Sequence, residues 1–223
     1  MLLIDQLSVE LAGIQVLRRI HAHVLTGTTV ALIGRNGAGK TTLLRSIMGL
    51  VPAKSGQLLF DQTELLHTPA HQRTSLGIGY APEDRVIFPT LSVLDNLRLP
   101  AEVLGLSAAE IQSRLDAALE VIPQLEPMLA RSGAALSGGQ GKMVALGRAL
   151  ITGTRMVLLD EPLQGLAPVL AEQYVQAIGR LRQLRPALSV IITESNASLL
   201  RDMPAQTWLL ERGSLSLDDS LTS

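Results

Sequence analysis

The run Gly34-Arg35-Asn36-Gly37-Ala38-Gly39-Lys40-Thr41 packs glycines, a lysine and a hydroxyl into a short stretch. Glycines let backbone N–H groups turn inward around an anion. A helix beginning at the lysine points its positive dipole end at the same place. The spacing is G-x-x-x-x-G-K-[ST], which suits a triphosphate: Lys40 reaches the β- and γ-phosphates and the Thr41 hydroxyl ligates Mg²⁺. Further on, Leu158-Leu159-Asp160-Glu161 ends an apolar run in two carboxylates. Asp160 is placed to hold Mg²⁺, mostly through water, and Glu161 to orient or deprotonate an attacking water. Between them lies Leu136-Ser137-Gly138-Gly139-Gln140, a serine and two glycines heading an apolar helix through Met143, Leu146 and Leu150. That is a second anion-binding helix start. One nucleotide does not need two such cradles from one chain, so the pattern implies a site shared between two subunits.

The elements that must position these residues follow from periodicity. Val30-Ala31-Leu32-Ile33 reads as a buried strand leading into the first glycine run, and Lys40 to Met48 as a helix capped by Gly49 and stopped by Pro52. Residues 1–28 read as short strands and turns, with Ile20, Ala22 and Val24 alternating with His21, His23 and Leu25. Gly56 to Phe60 and Leu76 to Tyr80 read as further strands. Residues 92–150 read as helical, with a Ser107/Glu110 capping box and Ile111, Leu115, Leu119 and Ile122 on one face. Met156 to Asp160 is a buried strand. Pro168 opens a helix whose stripe is Leu170, Tyr174, Ile178 and Leu181. Leu188 to Ile192 is another strand, Trp208 to Ser214 a terminal hairpin, and Leu217 to Ser223 a frayed tail. Strands alternating with helices predict an α/β fold with a largely parallel sheet. The strand-free stretch of about 92–150 is predicted to be an inserted helical subdomain of a single 223-residue domain.

Composition narrows the function classes. The chain has no cysteine, which excludes a disulfide scaffold, thiolate metal sites and cysteine catalysis. A net charge of −1 and 2% aromatics argue against a nucleic-acid partner. No apolar run approaches the roughly 20 residues of a membrane span, and the first residues lack a signal peptide's features, so a cytoplasmic protein is expected. His21 and His23 share a strand face with no third ligand in view, and His67 and His71 stand one helical turn apart. Both pairs read as solvated.

With these three motifs in this order and spacing, the chain resembles the ATP-binding cassette family over essentially its whole length. It resembles most closely the ATPase subunits of branched-chain and hydrophobic amino acid importers. The marks are Tyr80 to Pro89, Gly147-Arg148-Ala149-Leu150 and Asp160 to Pro168, above all Gly165-Leu166-Ala167-Pro168. Importers of urea or short amides share much of this pattern. The resemblance implies a P-loop fold of the cassette type, with an N-terminal antiparallel β subdomain. It implies ATP held by Gly34, Arg35, Asn36, Gly37, Ala38, Gly39, Lys40, Thr41 and Thr42 of one subunit and by Ser137, Gly138, Gly139 and Gln140 of the other. It further implies a motor subunit on the cytoplasmic face of the membrane, two permease subunits whose loops the helical region grips near Phe88 and Pro89, and, indirectly, a solute-binding protein.

The sequence departs from the family in places. Glu83 stands where most members carry the glutamine that senses Mg²⁺ and the attacking water. Leu11 replaces the aromatic residue that stacks on adenine. Ser195 stands at the position of a γ-phosphate-sensing histidine, and Ala167 replaces an aspartate. Departures in ATP use beside an intact Leu136–Gln140 segment predict a second, non-identical ATPase subunit as partner. Two other classes stand beside the importer reading. A soluble cassette acting on DNA or ribosomes is disfavoured by the acidic balance and the lack of a coiled-coil insertion or tandem cassette. A non-hydrolysing, ATP-sensing subunit is suggested by Leu11 and Ser195 and opposed by Glu161.

Overall fold

The computed structural model describes residues 1–84, 87–200 and 206–218. In chain order its main elements are β1 (Leu2–Leu11), β2 (Ile14–Val24), β3 (Thr29–Ile33), α1 (Lys40–Ile47), β4 (Ser55–Phe60), β5 (Thr63–Glu64), α2 (Ala70–Arg73), β6 (Ile78–Ala81), α3 (Val93–Val103), α4 (Ala108–Val121), α5 (Gly138–Thr152), β7 (Met156–Asp160), α6 (Pro168–Leu184), β8 (Ser189–Glu194), β9 (Gln206–Glu211) and β10 (Ser214–Asp218). Short 3-10 turns join several of them. The chain divides into two compact units, one made of residues 1–76 with 189–223 and the other of residues 77–188.

The first unit carries an antiparallel sheet in the order β2-β1-β4-β5, and beside it the strands β10-β9-β3-β8. The strands expected to be short over residues 1–28 are instead a long hairpin. Ala12 and Gly13 both take positive φ, 49° and 81°, in a two-residue turn that lets β1 and β2 pair along most of their length. The alternation read from the sequence holds: Ile20, Ala22 and Val24 are buried, while His21 and His23 face outward. β3 pairs in parallel with both β8 and β9, and every residue of β3 and β8 is buried. A strand buried on both faces must be an apolar run rather than an alternating one, which is why Val30 to Ile33 was legible.

α1 ends as its sequence foretells. Gly49 takes φ 74°, its N–H reaches the Ser46 carbonyl at 3.1 Å, and the Leu50 N–H reaches Arg45 at 2.8 Å. This is a Schellman stop. Arg73, at the end of α2, is buried against it and donates to the carbonyls of Ser46 and Ile47 at 2.7 and 2.8 Å. Burial holds its guanidinium below the usual range, against the opposing pull of Glu64.

In the second unit β6 and β7 pair in parallel, and α3 to α6 supply the helices. The strand expected over Leu76–Tyr80 begins at Ile78, because residues 74–76 close a 3-10 turn. The Ser107/Glu110 capping box is formed in full. On α4 the buried face runs through Ile111, Leu115, Ala118 and Val121, so Ala118 rather than Leu119 completes the stripe. α6 begins at Pro168 as expected and buries Tyr174, Ala177, Ile178 and Leu181. Leu217 and Asp218, expected to fray, belong to β10, and residues 219–223 lie outside the described residues. The molecule is thus an α/β fold with one antiparallel sheet, mostly parallel pairing elsewhere, and helices.

Candidate functional site

The glycine run turns out of β3 and into α1 within the first unit. Gly37 and Gly39 take φ 81° and 110°, and Gly39 is the N-cap of α1 in left-handed geometry. A side chain at Gly39 would meet Leu17 Cδ2 at 2.8 Å, and one at Gly34 would meet the Leu210 carbonyl oxygen at 2.4 Å. The glycines are therefore demanded twice, by the turn and by the strands packed behind it. Lys40 is buried, and its ammonium donates to the carbonyls of Gly34 and Arg35 at 2.6 and 3.3 Å. This fixes a positive charge at the mouth of the loop, on the helix start that already favours anions. Arg35, Asn36 and Gly37 are exposed, Ala38 is buried, and Thr41 and Thr42 are half-buried in the first turn of α1. A left-handed glycine turn leading into a helix start with a buried lysine suits a phosphate chain.

Two departures lie in the same unit. Ser195 follows β8 directly, and the adjacent Glu194 carbonyl accepts the Gly34 N–H at 3.3 Å, so Ser195 stands at the strand edge beside the loop. Leu11 pairs with Ile14 across the hairpin tip, and both are exposed, Ile14 to 70%. The tip is an aliphatic surface, not a stacking platform.

The second unit holds the other motifs. Asp160 ends β7 and Glu161 follows it, and both are buried. The Tyr80 hydroxyl, on the paired strand β6, donates to Asp160 Oδ2 at 3.1 Å. Glu161 takes φ 46°, an unusual conformation for a non-glycine residue and one that active sites hold under strain. Ser137 caps α5: its hydroxyl accepts the Gln140 N–H at 3.3 Å, while its own N–H donates to Gln140 Oε1 at 3.0 Å. Ser137 and Gly138 are exposed, whereas Gly139 is buried, where a side chain would meet Leu170 Cδ1 at 2.4 Å. Glu83 is exposed in the turn after β6. Arg85 and Val86, part of the Tyr80–Pro89 stretch, lie outside the described residues. Phe88 is exposed to 41%, but its backbone is clamped by buried Asn96, which accepts its N–H at 2.8 Å and donates to its carbonyl at 3.0 Å. Arg148 lies over the Phe88 ring at 5.2 Å, and burial keeps its guanidinium below the usual range.

Sequence reasoning passed over two residues that touch these motifs. Tyr80 lies within the quoted stretch, but its bond to Asp160 depends on strand pairing that no spacing announces. Lys142, two residues past Gln140, donates from its ammonium to the carbonyls of Glu161 and Gln164, both at 2.7 Å. A lysine one residue before the buried run Met143 to Leu146 was the available signal. Among the described residues no group of three or more His, Asp or Glu side chains could hold a metal ion. His21 is exposed, and its Nδ1 lies 2.8 Å from Asp5 Oδ1. No helix among them is long and apolar enough to cross a membrane.

A glycine-loop cradle between a parallel strand and a helix, together with a strand ending in paired acids, defines an ATPase of the P-loop class. The ABC transporter family model matches residues 17–164. The chain belongs to the ABC transporter family and is its ATP-binding cassette, an ATPase coupled to transport. It is 34% identical to the high-affinity branched-chain amino acid transport ATP-binding protein BraG of Pseudomonas aeruginosa, over 99% of this chain and 93% of that one. It is 33% identical to the lipopolysaccharide export system ATP-binding protein LptB of Escherichia coli, over 91% and 83%. Among solved structures, an ATP-binding subunit of an ABC transporter superposes with TM-score 0.84 at 27% identity, over 98% of this chain and 90% of that one. A dimeric ATP-binding cassette in a post-hydrolysis state with ADP and Pi shares the fold, with TM-score 0.85 at 22% identity over 98% of both chains.

Proposed function

We propose that the chain is the motor subunit of an importer for branched-chain or other hydrophobic amino acids, bound at the cytoplasmic face of the membrane to two permease subunits. The observation that carries this reading is the match to BraG across nearly the whole of both chains. The Gly165-Leu166-Ala167-Pro168 segment supports it. A solute-binding protein would deliver the cargo on the far side.

In this reading Gly34 to Thr42 hold the triphosphate of ATP, with Lys40 on the β- and γ-phosphates. Thr41 and Asp160 are the residues for Mg²⁺, Asp160 through water and oriented by Tyr80. Bound Mg²⁺ neutralises charge on the phosphates. Glu161 orients the attacking water and takes its proton as the new bond to the γ-phosphorus forms and the bond to ADP breaks. Ser137 to Gln140 face the nucleotide of a partner ATPase. Glu83 serves as the sensing residue at the strand end, and Ser195 offers a hydroxyl where a charged ring would give more. The helical region of about 92–150, entered at the clamped Phe88, grips the permease loops.

Lipopolysaccharide export is the second reading, favoured by the LptB match at nearly the same identity. Reconstitution with its permease subunits separates the two. Uptake of labelled leucine driven by ATP is expected. ATPase activity indifferent to leucine and its binding protein, but stimulated by lipopolysaccharide, would overturn the importer reading.

A further inference from the structure

We propose that Lys142 is a positioning residue for Glu161. The inference rests on the reading of Glu161 as the group that activates water. Glu161 sits just past a buried strand with φ 46°, and a left-handed backbone crowds the Cβ of any residue other than glycine. Such a conformation persists only where its surroundings over-determine it. The turn itself supplies one restraint, the Gln164 N–H donating to the Glu161 carbonyl at 3.3 Å. The Lys142 ammonium supplies the stronger one: it joins the carbonyls of Glu161 and Gln164, at both ends of the turn, at 2.7 Å each. Hydrogen bonds from a charged donor are about twice as strong as neutral ones. The clamp fixes the peptide that follows Glu161, and through it the direction in which the carboxylate leaves the chain.

The anchor for this clamp is α5. Lys142 stands five residues past Ser137, and Gly139 between them packs on Leu166 and Leu170, beyond the turn at Glu161 to Gln164. The start of one helix therefore carries both the exposed Ser137-Gly138 pair and the restraint on Glu161. The chemistry does not require a lysine to touch ATP here. It requires a cation whose reach matches two carbonyls on a strained turn.

The test compares Lys142→Met, Lys142→Arg and Glu161→Gln in the assembled transporter, with ATP turnover, KM and melting temperature measured for each. Lys142→Met is expected to lower kcat about 10- to 100-fold, the range a misplaced catalytic group produces. KM for ATP should stay within about twofold, because the loop of Gly34 to Thr41 is untouched. Lys142→Arg, with two donors on one fork, is expected to restore most of the rate. Adding Lys142→Met to Glu161→Gln should leave the residual rate unchanged, because both act through one group. An inactive Glu161→Gln beside a fully active Lys142→Met would overturn the inference alone. Wild-type turnover by Glu161→Gln would overturn the role of Glu161 and this inference with it. A parallel fall of kcat, affinity and melting temperature, with no rescue by arginine, would reduce Lys142 to a packing residue and overturn the inference too. Should Lys142→Met fail to fold, Lys142→Gln keeps an N–H donor and is read by the same kcat-against-KM split.

Discussion

Lys40 illustrates how much a single residue settles. Its ammonium is buried and held by two backbone carbonyls at the mouth of the loop, so the positive charge is in place before any phosphate arrives. Lys40→Ala removes it with no basic side chain adjacent in the helix. Affinity for ATP is expected to fall by at least about tenfold, equivalent to 1.4 kcal/mol or more, measured by equilibrium dialysis. Full-affinity binding would refute the loop as the phosphate site. The helix start at Lys40, the strand end at Asp160 and the helix cap at Ser137 were legible in the sequence because neighbouring residues decide them. Tyr80 and Lys142 were not, because their partners lie far along the chain and only strand pairing and helix packing bring them within 3.1 and 2.7 Å.

At the scale of elements, two helix starts and one strand show what the sequence specifies. In α4 the Ser107 hydroxyl and the Ser107 N–H donate to Glu110 at 2.6 and 2.9 Å and hold its carboxyl below the ordinary 4.5. A carboxyl depressed in the folded state stabilises fully above its unfolded value and loses that contribution as pH falls through the folded one. The difference in melting temperature between wild type and Glu110→Ala should therefore be steady near neutrality and shrink in acid below about 4.5. In β6, Gly79 faces α5 so closely that a Cβ would stand 2.0 Å from the Ala149 carbonyl oxygen. Gly79→Ala is expected to destabilise by about 3 kcal/mol or more, at the top of the usual range for overpacking, measured by urea denaturation. Capping boxes and buried strands are legible because neighbouring residues decide them. The requirement at Gly79 was not, since the obstructing carbonyl lies on a helix far away in sequence. The two-residue turn at Ala12-Gly13 escaped for a different reason: alanine rarely adopts φ 49°, so it gives no turn signal.

At the scale of the whole molecule, the exposed Ser137-Gly138 start of α5 is proposed to face the nucleotide of a partner subunit. On that proposal the aliphatic Leu11–Ile14 tip and the uncharged Ser195 are expected to contact ATP weakly, and two identical copies would carry that weakness twice. The expected partner is a different ATPase subunit. Light scattering on the Glu161→Gln chain with ATP and Mg²⁺ should show a monomer that dimerises only when the second subunit is added. A stable homodimer at low micromolar concentration would refute this. The first unit has one more property that matters before any partner is met. It is stitched from the two ends of the chain: β3 has β8 and β9 as its neighbours, and the Gly27 N–H reaches Ser189 Oγ across 162 positions. On the ribosome, Gly34 to Thr41 therefore emerge long before the strands that brace them. At about 5–20 residues per second, the nascent loop waits roughly 10–35 s for β9 to be synthesised. Until β8 is made, shortly before β9, the apolar β3 has neither edge covered, which exposes it to aggregation and makes it a place for a chaperone to bind.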